Sequence, residues 1–225
     1  MKTLAFTLFL FFSLSTMIAM GKPFMDDFNR PDNKKLGNDW ITQADGTIKV
    51  EIVNQEALIS GKQATDWVRA GLSRVIEDET KVYFDFLANE NFNVHIRIDD
   101  TGIGAYIDIY AWPAGPFSHA SSPDGAWPGW TEIPGSTMIA GQYNKFGVEK
   151  EGVNFIIYLN DKKLIAIKNE KLLNITKVLF ASDAAANTAG SLHIDNIIIG
   201  DPTVKPKAVE SSGKVSILWG KLKKI

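Results

Sequence analysis

The sequence contains no cysteine in its 225 residues. Disulfide bonds and a lipoprotein attachment site are therefore excluded, so stability has to come from core size, with a bound metal as a further option. Hydrophobic residues make up 45% of the chain, which is enough to fill a sizeable core. For an exported chain, this lack of cysteine is more typical of bacteria than of secreted animal proteins.

An excess of charge of one sign is also missing. The chain has 24 Lys and Arg against 26 Asp and Glu, a formal net charge of −2 at pH 7. Because no stretch forms a basic stripe, nucleic acid is not an expected partner.

Long apolar runs are absent beyond the N-terminus. Lys2 precedes an apolar run from Leu4 to Ile18, and the small residues Ala19 and Gly21 follow it. This order predicts a secretory signal peptide over residues 1–21. The run is short for a membrane span and no second run follows, so we expect a soluble mature chain that is secreted, periplasmic or held at the cell surface.

Helical periodicity is absent too, except for one short turn predicted near Glu170–Asn174. Alternation of polar and apolar residues instead predicts a short strand near Phe24 and twelve more at Thr47–Val53, Ala57–Ser60, Trp67–Ile76, Val82–Ala88, Phe92–Asp99, Gly104–Trp112, Thr137–Ala140, Lys145–Glu151, Asn154–Leu159, Lys163–Lys168, Lys177–Ala181 and Ser191–Ile199. Trp40 and Trp67 lie in strand-like contexts and are expected in the core. Short strands at this spacing are typical of an all-β, two-sheet antiparallel β-sandwich, here one domain over residues 22–200.

The composition changes over residues 201–225. Pro202 and Pro206 indicate a linker, and residues 215–225 combine Trp219 and Leu222 with several lysines. The pattern predicts a basic amphipathic tail, which is either a frayed terminus or a contact with an envelope component or partner protein.

The most informative stretch covers residues 92–130. Asn93–Asp99 and Ala105–Trp112 both alternate, and Asp99–Gly102 between them has the composition of a turn. A turn centred on residues 101 and 102 predicts a hairpin with its polar side chains on the face away from the core. The predicted register places three pairs opposite one another: Arg97 with Tyr106, His95 with Asp108, and Asn93 with Tyr110.

Aromatic residues continue into the Gly-, Pro- and Ser-rich loop after this hairpin. Long ordered loops on a rigid sheet concentrate binding groups, so Trp127 and Trp130 are predicted to contact a ligand. The full candidate surface adds residues from a further strand and consists of Tyr83, Asp85, Asn93, His95, Arg97, Tyr106, Asp108, Tyr110, Trp112, Trp127 and Trp130. Rings stack on the C–H faces of sugars while polar groups pair with their hydroxyls, so a polysaccharide or other glycan is the expected ligand.

Familiar catalytic motifs are missing. The sequence has no Gly-x-Ser-x-Gly elbow, no His-Glu-x-x-His metal site and no Gly-rich phosphate loop. His95 and Asp108 are the catalytic candidates, because a carboxylate can orient a histidine and raise its basicity. No evident nucleophile, metal or cofactor accompanies the pair, which favours a polar ladder across the sheet.

Segments near both ends resemble a known superfamily. Asp26–Asn33 (DDFNRPDN) and Leu36–Trp40 (LGNDW) resemble the opening of bacterial LamG-like jelly-roll domains of the concanavalin A-like lectin/glucanase superfamily. Leu192–Gly200 resembles their closing strand. The resemblance covers residues 24–200 and implies a concanavalin A-like jelly roll.

The resemblance also implies a metal site. In this superfamily the first and last strands pair, which would bring Asp26 or Asp27 near Asp195 and Asn196. Oxygen ligands converging there would suit a structural calcium ion.

The superfamily includes family 16 glucanases, whose catalytic strand reads Glu-x-Asp-x-Glu. The nearest string here is Tyr106–Tyr110, with tyrosine at both glutamate positions. Because the retaining mechanism needs two carboxyl groups about 5–5.5 Å apart, this departure argues against that activity.

Three functions remain open. The expected one is a secreted, non-catalytic carbohydrate-binding or adhesion module that uses a concave polar and aromatic face. One alternative is a glycoside hydrolase-like enzyme with a non-standard site, which would need a second acidic group, such as Asp85 or Asp99, within reach of Asp108. The other is a structural or protein-binding envelope domain.

Overall fold

The structure is a computed structural model that describes residues 23–77, 79–88, 91–112, 115–139 and 141–201. The predicted signal peptide lies outside the described residues, as do the predicted linker and tail beyond Asp201. The described part of the chain contains no helix, and therefore none with the length and hydrophobicity that a membrane crossing requires.

Fifteen strands account for the regular structure of the described residues. In chain order they are β1 Phe24–Asp26, β2 Ile41–Gln43, β3 Lys49–Val53, β4 Glu56–Lys62, β5 Ala70–Val75, β6 Lys81–Ala88, β7 Val94–Asp100, β8 Ala105–Ala111, β9 Phe117–Ser122, β10 Thr131–Glu132, β11 Asn144–Glu151, β12 Asn154–Leu159, β13 Lys162–Lys168, β14 Lys177–Ser182 and β15 Ala189–Ile199. Strand β6 shows the period-2 pattern most clearly, since Val82, Phe84 and Phe86 are buried and the residues between them are partly exposed.

The strands form two antiparallel sheets, which confirms the predicted two-sheet sandwich. The eight-stranded sheet has the order β13-β12-β11-β6-β15-β4-β3, with β1 paired to β15. The seven-stranded sheet has the order β10-β9-β8-β7-β14-β5-β2. Pairing of β1 with β15 places Asp26 opposite Ile197, so the first and last strands meet as the resemblance implied.

The core between the sheets is rich in aromatic residues. Phe84 of the eight-stranded sheet packs on Phe180 of the seven-stranded sheet with ring centroids 4.6 Å apart, and Phe146 packs on Phe117 at 5.5 Å. All four rings are buried. Because the inner faces are filled in this way, groups that bind a ligand have to lie on the outer faces or in the loops.

Strands β3 to β8 and β11 to β15 lie within three residues of their predicted bounds. Strand β9 lies inside the segment predicted as a loop. Its sequence, Phe-Ser-His-Ala-Ser-Ser, has too few apolar residues to show alternation, and it is a strand because β8 and β10 pair with it. Its pairing extends the seven-stranded sheet toward the loop of residues 123–130, which contains Trp127 and Trp130.

Two predicted elements are wrong, and in both cases an asparagine side chain binds the local backbone. Residues 137–139 of the predicted strand Thr137–Ala140 are not in a strand, because Asn144 bonds both the N–H and the C=O of Ile139. The predicted helical turn near Glu170–Asn174 is absent because Asn169 accepts the N–H groups of residues 171 and 172 in a local turn.

Candidate functional site

The hairpin at the centre of the candidate site has a different register from the predicted one. His95 lies opposite Tyr110, and Arg97 lies opposite Asp108. The connection runs over four residues, 101–104, and closes with the N–H of Gly104 bonded to the carbonyl of Asp100. Because the error in pairing is two residues, every side chain keeps its predicted face.

Asp108 and His95 belong to a buried charge network on the outer face of the seven-stranded sheet. His95 Nδ1 lies 3.3 Å from Asp108 Oδ1, and His95 Nε2 lies 2.9 Å from Asp183 Oδ2. Asn93 donates to Asp183 at 2.8 Å, and Arg69 donates to the second oxygen of Asp108. The imidazole ring therefore bridges two carboxylates.

The charge state of His95 follows from these contacts. Burial by itself would lower the pKa of His95, but the hydrogen bonds and charges of Asp108 and Asp183 raise it above its ordinary value. His95 is 2% exposed and Asp108 is 0% exposed. The two catalytic candidates are thus in contact, but neither offers the solvent-accessible group from which a substrate proton could be exchanged.

Arg97 lies next to this network, with its Nη1 3.8 Å from Asp108 Oδ2. Its Nε donates to Asp99 at 2.6 Å, and its guanidinium carbon lies 3.8 Å from the centroid of the Tyr106 ring. The arrangement combines an ion pair with a cation–π contact, which holds the planar group in one orientation.

Five rings form a continuous row on the same side of the molecule, which we call the aromatic ladder: Trp67, Trp112, Tyr110, Trp130 and Trp127. Centroid distances along it are 5.6, 6.1, 4.5 and 4.9 Å. Three of its tryptophans are strongly exposed, at 53% for Trp67, 42% for Trp112 and 56% for Trp127. Tyr110 and Trp130 also contact the His95 ring, which joins the ladder to the buried network.

Trp67 was expected in the core and is exposed instead, whereas Trp40 is buried as expected. Strand β5 begins at Ala70, so Trp67 precedes the sheet. It has a φ of 59°, and its N–H donates to the carbonyl of Ala184 at 2.9 Å. This left-handed turn directs the ring outward, and alternation along a strand is no guide to such a position.

An open groove adjoins the ladder at Trp67. Its volume is about 460 Å³, and it is lined by Gln43, Trp67, Arg69, Arg97, Asp99, Thr101, Lys177 and Leu179. The side chains come from both sides of β14, which is flanked by β7 and β5.

Arg69 and Asp183 are parts of this site that were not predicted as site residues. Arg69 lies two positions before Gly71 and four before Ser73, so strand alternation could have placed it on the outer face. Asp183 follows β14, and no local pattern pairs it with a histidine 88 positions earlier in the chain.

Tyr83 and Asp85 do not belong to this surface, so that part of the prediction is wrong. They lie on β6, which pairs with β11 and β15 in the eight-stranded sheet and not with β7. Tyr83 donates to Glu149 there, and Asp85 accepts from Asn196 at 2.8 Å. The chain crosses from one sheet to the other between β6 and β7, which neighbouring sequence positions do not reveal.

Of the four residues predicted as calcium ligands, Asp26 is engaged by other side chains. The Asp26 carboxylate is turned inward, where it accepts hydrogen bonds from Arg30, Asn38 and Trp40. Burial alone would raise the pKa of Asp26, but these hydrogen bonds hold that pKa below its ordinary value. Among the described residues, no group of three or more His, Asp or Glu side chains has the arrangement of a metal site.

The other three residues of that set are Asp27, whose carboxylate acts on that of Asp195, and Asp195 and Asn196 on β15 of the eight-stranded sheet. Asp195 is opposite Asp85 in the pairing of β15 with β6. Burial and the neighbouring carboxylates of Glu56, Asp27 and Asp85 raise the pKa of Asp195 to about 6. The charge of Asp195 is therefore opposed by the carboxylates around it, and calcium binding at these residues stays a prediction.

No protein-family model matches the sequence, and no curated protein matches it either. Several solved structures share the fold. A β-glucanase from Bacillus licheniformis aligns with a TM-score of 0.62 at 11% identity, over 80% of this chain and 99% of that one. The catalytic domain of an endo-1,3-β-glucanase (laminarinase) from Thermotoga petrophila aligns with a TM-score of 0.57 at 10% identity, over 81% and 98%.

A sialidase shows the same likeness as a small part of a longer chain. It aligns with a TM-score of 0.62 at 15% identity, over 81% of this chain but only 19% of the sialidase. Identities this low establish the fold and leave function to be argued from the site. The chain therefore shares the two-sheet antiparallel fold of these solved structures.

Proposed function

We propose that this chain is an exported carbohydrate-binding or adhesion module that holds a polysaccharide on the outer face of its seven-stranded sheet. The observation that carries the proposal is the aromatic ladder, a continuous chain of ring contacts in which Trp67, Trp112 and Trp127 expose large rings to solvent. Contiguous exposed aromatic surface of this kind is typical of binding sites.

The chemistry of the ladder suits sugars. A pyranose ring presents C–H groups on its faces, which stack on indole and phenol rings, and hydroxyl groups on its edge, which need directional partners. Beside the ladder, the groove supplies such partners in Gln43, Thr101 and Arg97. A row of rings with polar groups along its side fits an extended chain of sugar units.

The ladder is also held rigidly. Centroids of the Tyr110 and Trp130 rings lie 5.2 and 6.0 Å from the His95 ring, which is bonded on both sides to buried carboxylates. Side chains that are already fixed lose little conformational entropy when a ligand binds. The buried network therefore supports the binding surface.

Several features favour binding over hydrolysis. Asp108 is buried against Arg69 and His95, and Tyr106 and Tyr110 flank it on β8. Of the carboxylates named as possible partners of Asp108 in a hydrolase, Asp85 lies on the other sheet and Asp99 is ion-paired with Arg97, and the further carboxylate of Asp183 is bonded to His95 and Asn93. The glucanases, laminarinase and sialidase with this fold act on glycans by their names, which is consistent with a glycan ligand here.

Binding of the purified full-length chain to a panel of polysaccharides tests the proposal. We expect Trp127→Ala to weaken binding about tenfold, because one stacking partner of the sugar is lost. Tyr143→Ala is the matched control, since this ring is similarly exposed but contacts Glu56 beside the eight-stranded sheet. The same mixtures should release no reducing ends.

If Trp127→Ala and Tyr143→Ala both leave polysaccharide binding unchanged, the ligand does not bind at the proposed surface. If no polysaccharide of the panel binds, the proposed function is wrong and the structural or protein-binding alternative is favoured. Release of reducing ends would show that the chain is a hydrolase.

A further inference from the structure

The groove beside the aromatic ladder differs from the ladder in its charge. Its lining includes three cationic side chains, Arg69, Arg97 and Lys177, and one carboxylate, that of Asp99. The ladder contributes only Trp67 to this lining. A glycan that spans both would meet aromatic faces in one part and cationic groups in the other.

Most charges in this region are matched within the protein. Asp108 is paired with Arg69 and His95 and lies 3.8 Å from Arg97, Asp183 is paired with His95, and Asp99 is paired with Arg97. Lys177 is the cation left over. It lies opposite Asp99 in the pairing of β14 with β7, but Asp99 is engaged by Arg97, and Lys177 forms no ion pair with any described residue.

The two guanidinium groups retain free hydrogen-bond donors. Among the described residues, Arg97 donates through Nε to Asp99 and Arg69 donates through one Nη to Asp108. Each guanidinium has five N–H groups in a planar fork, which suits the paired oxygens of a carboxylate or sulfate. Because Tyr106 and Asp99 already fix Arg97, such a ligand would meet a preorganised donor.

We propose that the groove binds an anionic group of an acidic polysaccharide, with Lys177 as the main cation and Arg97 and Arg69 as hydrogen-bond donors. This inference rests on the proposed glycan-binding function and specifies its ligand class. The anionic group is a carboxylate of a uronic acid or a sulfate ester, since both present the same oxygens to the groove. The neighbouring sugar stacks on Trp67 and continues along the ladder.

Three probes separate the ligand classes: polygalacturonate carries carboxylates, carrageenan carries sulfates, and laminarin is neutral. We expect the full-length chain to bind at least one acidic polymer more tightly than laminarin. Raising the salt from about 50 to about 500 mM should weaken acidic binding several-fold and leave laminarin binding nearly unchanged. The acidic polymer that binds identifies the anionic group.

Variants at Lys177 test the assignment directly. Lys177→Gln should weaken binding of the acidic polymer about threefold to tenfold and leave laminarin binding unchanged, whereas Lys177→Arg should retain acidic binding. Lys163→Gln is the matched control, because Lys163 is exposed on β13 of the other sheet. Equal urea midpoints would show that all variants are folded.

The outcomes separate the two proposals. If laminarin binds as tightly as the acidic polymers, or if Lys177→Gln has no effect, the acidic ligand class is wrong and the glycan-binding function stands. If no polysaccharide binds, both are wrong.

Discussion

Single carboxylates on the two outer faces show how local partners decide what a residue does. Asp108 is completely buried, yet it is matched by Arg69 and His95 and supports the rings above it. Asp195 has carboxylates as its neighbours, and its pKa is raised to about 6. One supports the rings of the proposed binding surface, whereas the other reduces stability when it is charged.

We expect Asp195→Asn to stabilise the protein at neutral pH. The folded state holds the Asp195 proton more tightly than the unfolded chain, so its stabilising contribution is complete below pH 3.8 and is lost as pH rises to about 6. After allowance for solvent screening of a half-buried group, removing the charge should add about 1 kcal/mol to the free energy of unfolding at pH 8.

Urea unfolding at acidic and neutral pH measures this effect. The advantage of Asp195→Asn should shrink as the pH falls toward 4, and a gain that is constant across this range would argue against electrostatic repulsion. Glu51→Gln provides a control on the neighbouring edge of the sheet, because Glu51 lies on β3 of the same sheet.

At the scale of elements, the N-terminal segment depends on one carboxylate. The Asp26 carboxylate, at the end of β1, accepts hydrogen bonds from Arg30, Asn38 and Trp40 in the loop that follows. Trp40 in turn packs on Phe180 of the core. This is why the Asp-Asp-Phe-Asn-Arg-Pro motif occurs next to the first strand. Its first aspartate has a structural role.

Asp26→Asn should therefore destabilise the protein by about 2–4 kcal/mol, because it leaves Arg30 without its partner in a largely buried site. The pKa of Asp26 is lowered, so its contribution is present above pH 3.8 and is lost as the pH falls below that value. Chemical denaturation at pH 7 and pH 3 should show a large difference from the wild type at pH 7 and a small one at pH 3.

The neighbouring Asp27→Asn is the control for this prediction. Asp27 accepts an N–H bond from Asn29, and its carboxylate repels that of Asp195, so Asp27→Asn should leave the stability at pH 7 unchanged or slightly raised. A similar loss for both variants would mean that the motif stabilises the chain in some other way.

For the whole molecule, Asp26, Asp195 and His95 favour a stability maximum at acidic pH, whereas burial lowers the pKa of His119, which acts against them as the pH falls below 6.5. Asp26 loses its contribution below pH 3.8, Asp195 loses its own between pH 3.8 and about 6, and His95 loses its own as the pH rises above its ordinary 6.5. Each direction follows from which state of the protein binds the proton more tightly.

We expect the urea midpoint to be highest near about pH 4 and lower at both pH 3 and pH 8. A series of unfolding curves across this range checks it. In Asp195→Asn the fall between pH 4 and pH 6 should largely disappear, while the fall due to His95 at higher pH should remain. A midpoint that rises steadily to pH 8 would contradict this account.

Local pattern determined the strands, the faces of their side chains and the sandwich, since side chains alternate with a period of two whatever the partner strand is. That is why His95, Asp108 and Tyr110 were placed on one face even though the register was two residues out. The buried Phe84 and the pairing of β1 with β15 follow from the same alternation and from the resemblance of the two ends.

Only the tertiary structure decided which elements became neighbours. It separated Tyr83 and Asp85 from the site by placing β6 in the other sheet, and it brought Asp183 and Arg69 to His95 and Asp108 from distant parts of the chain. It also exposed Trp67 through a left-handed turn. Sheet order, register and such turns depend on long-range packing, which alternation along one strand does not encode.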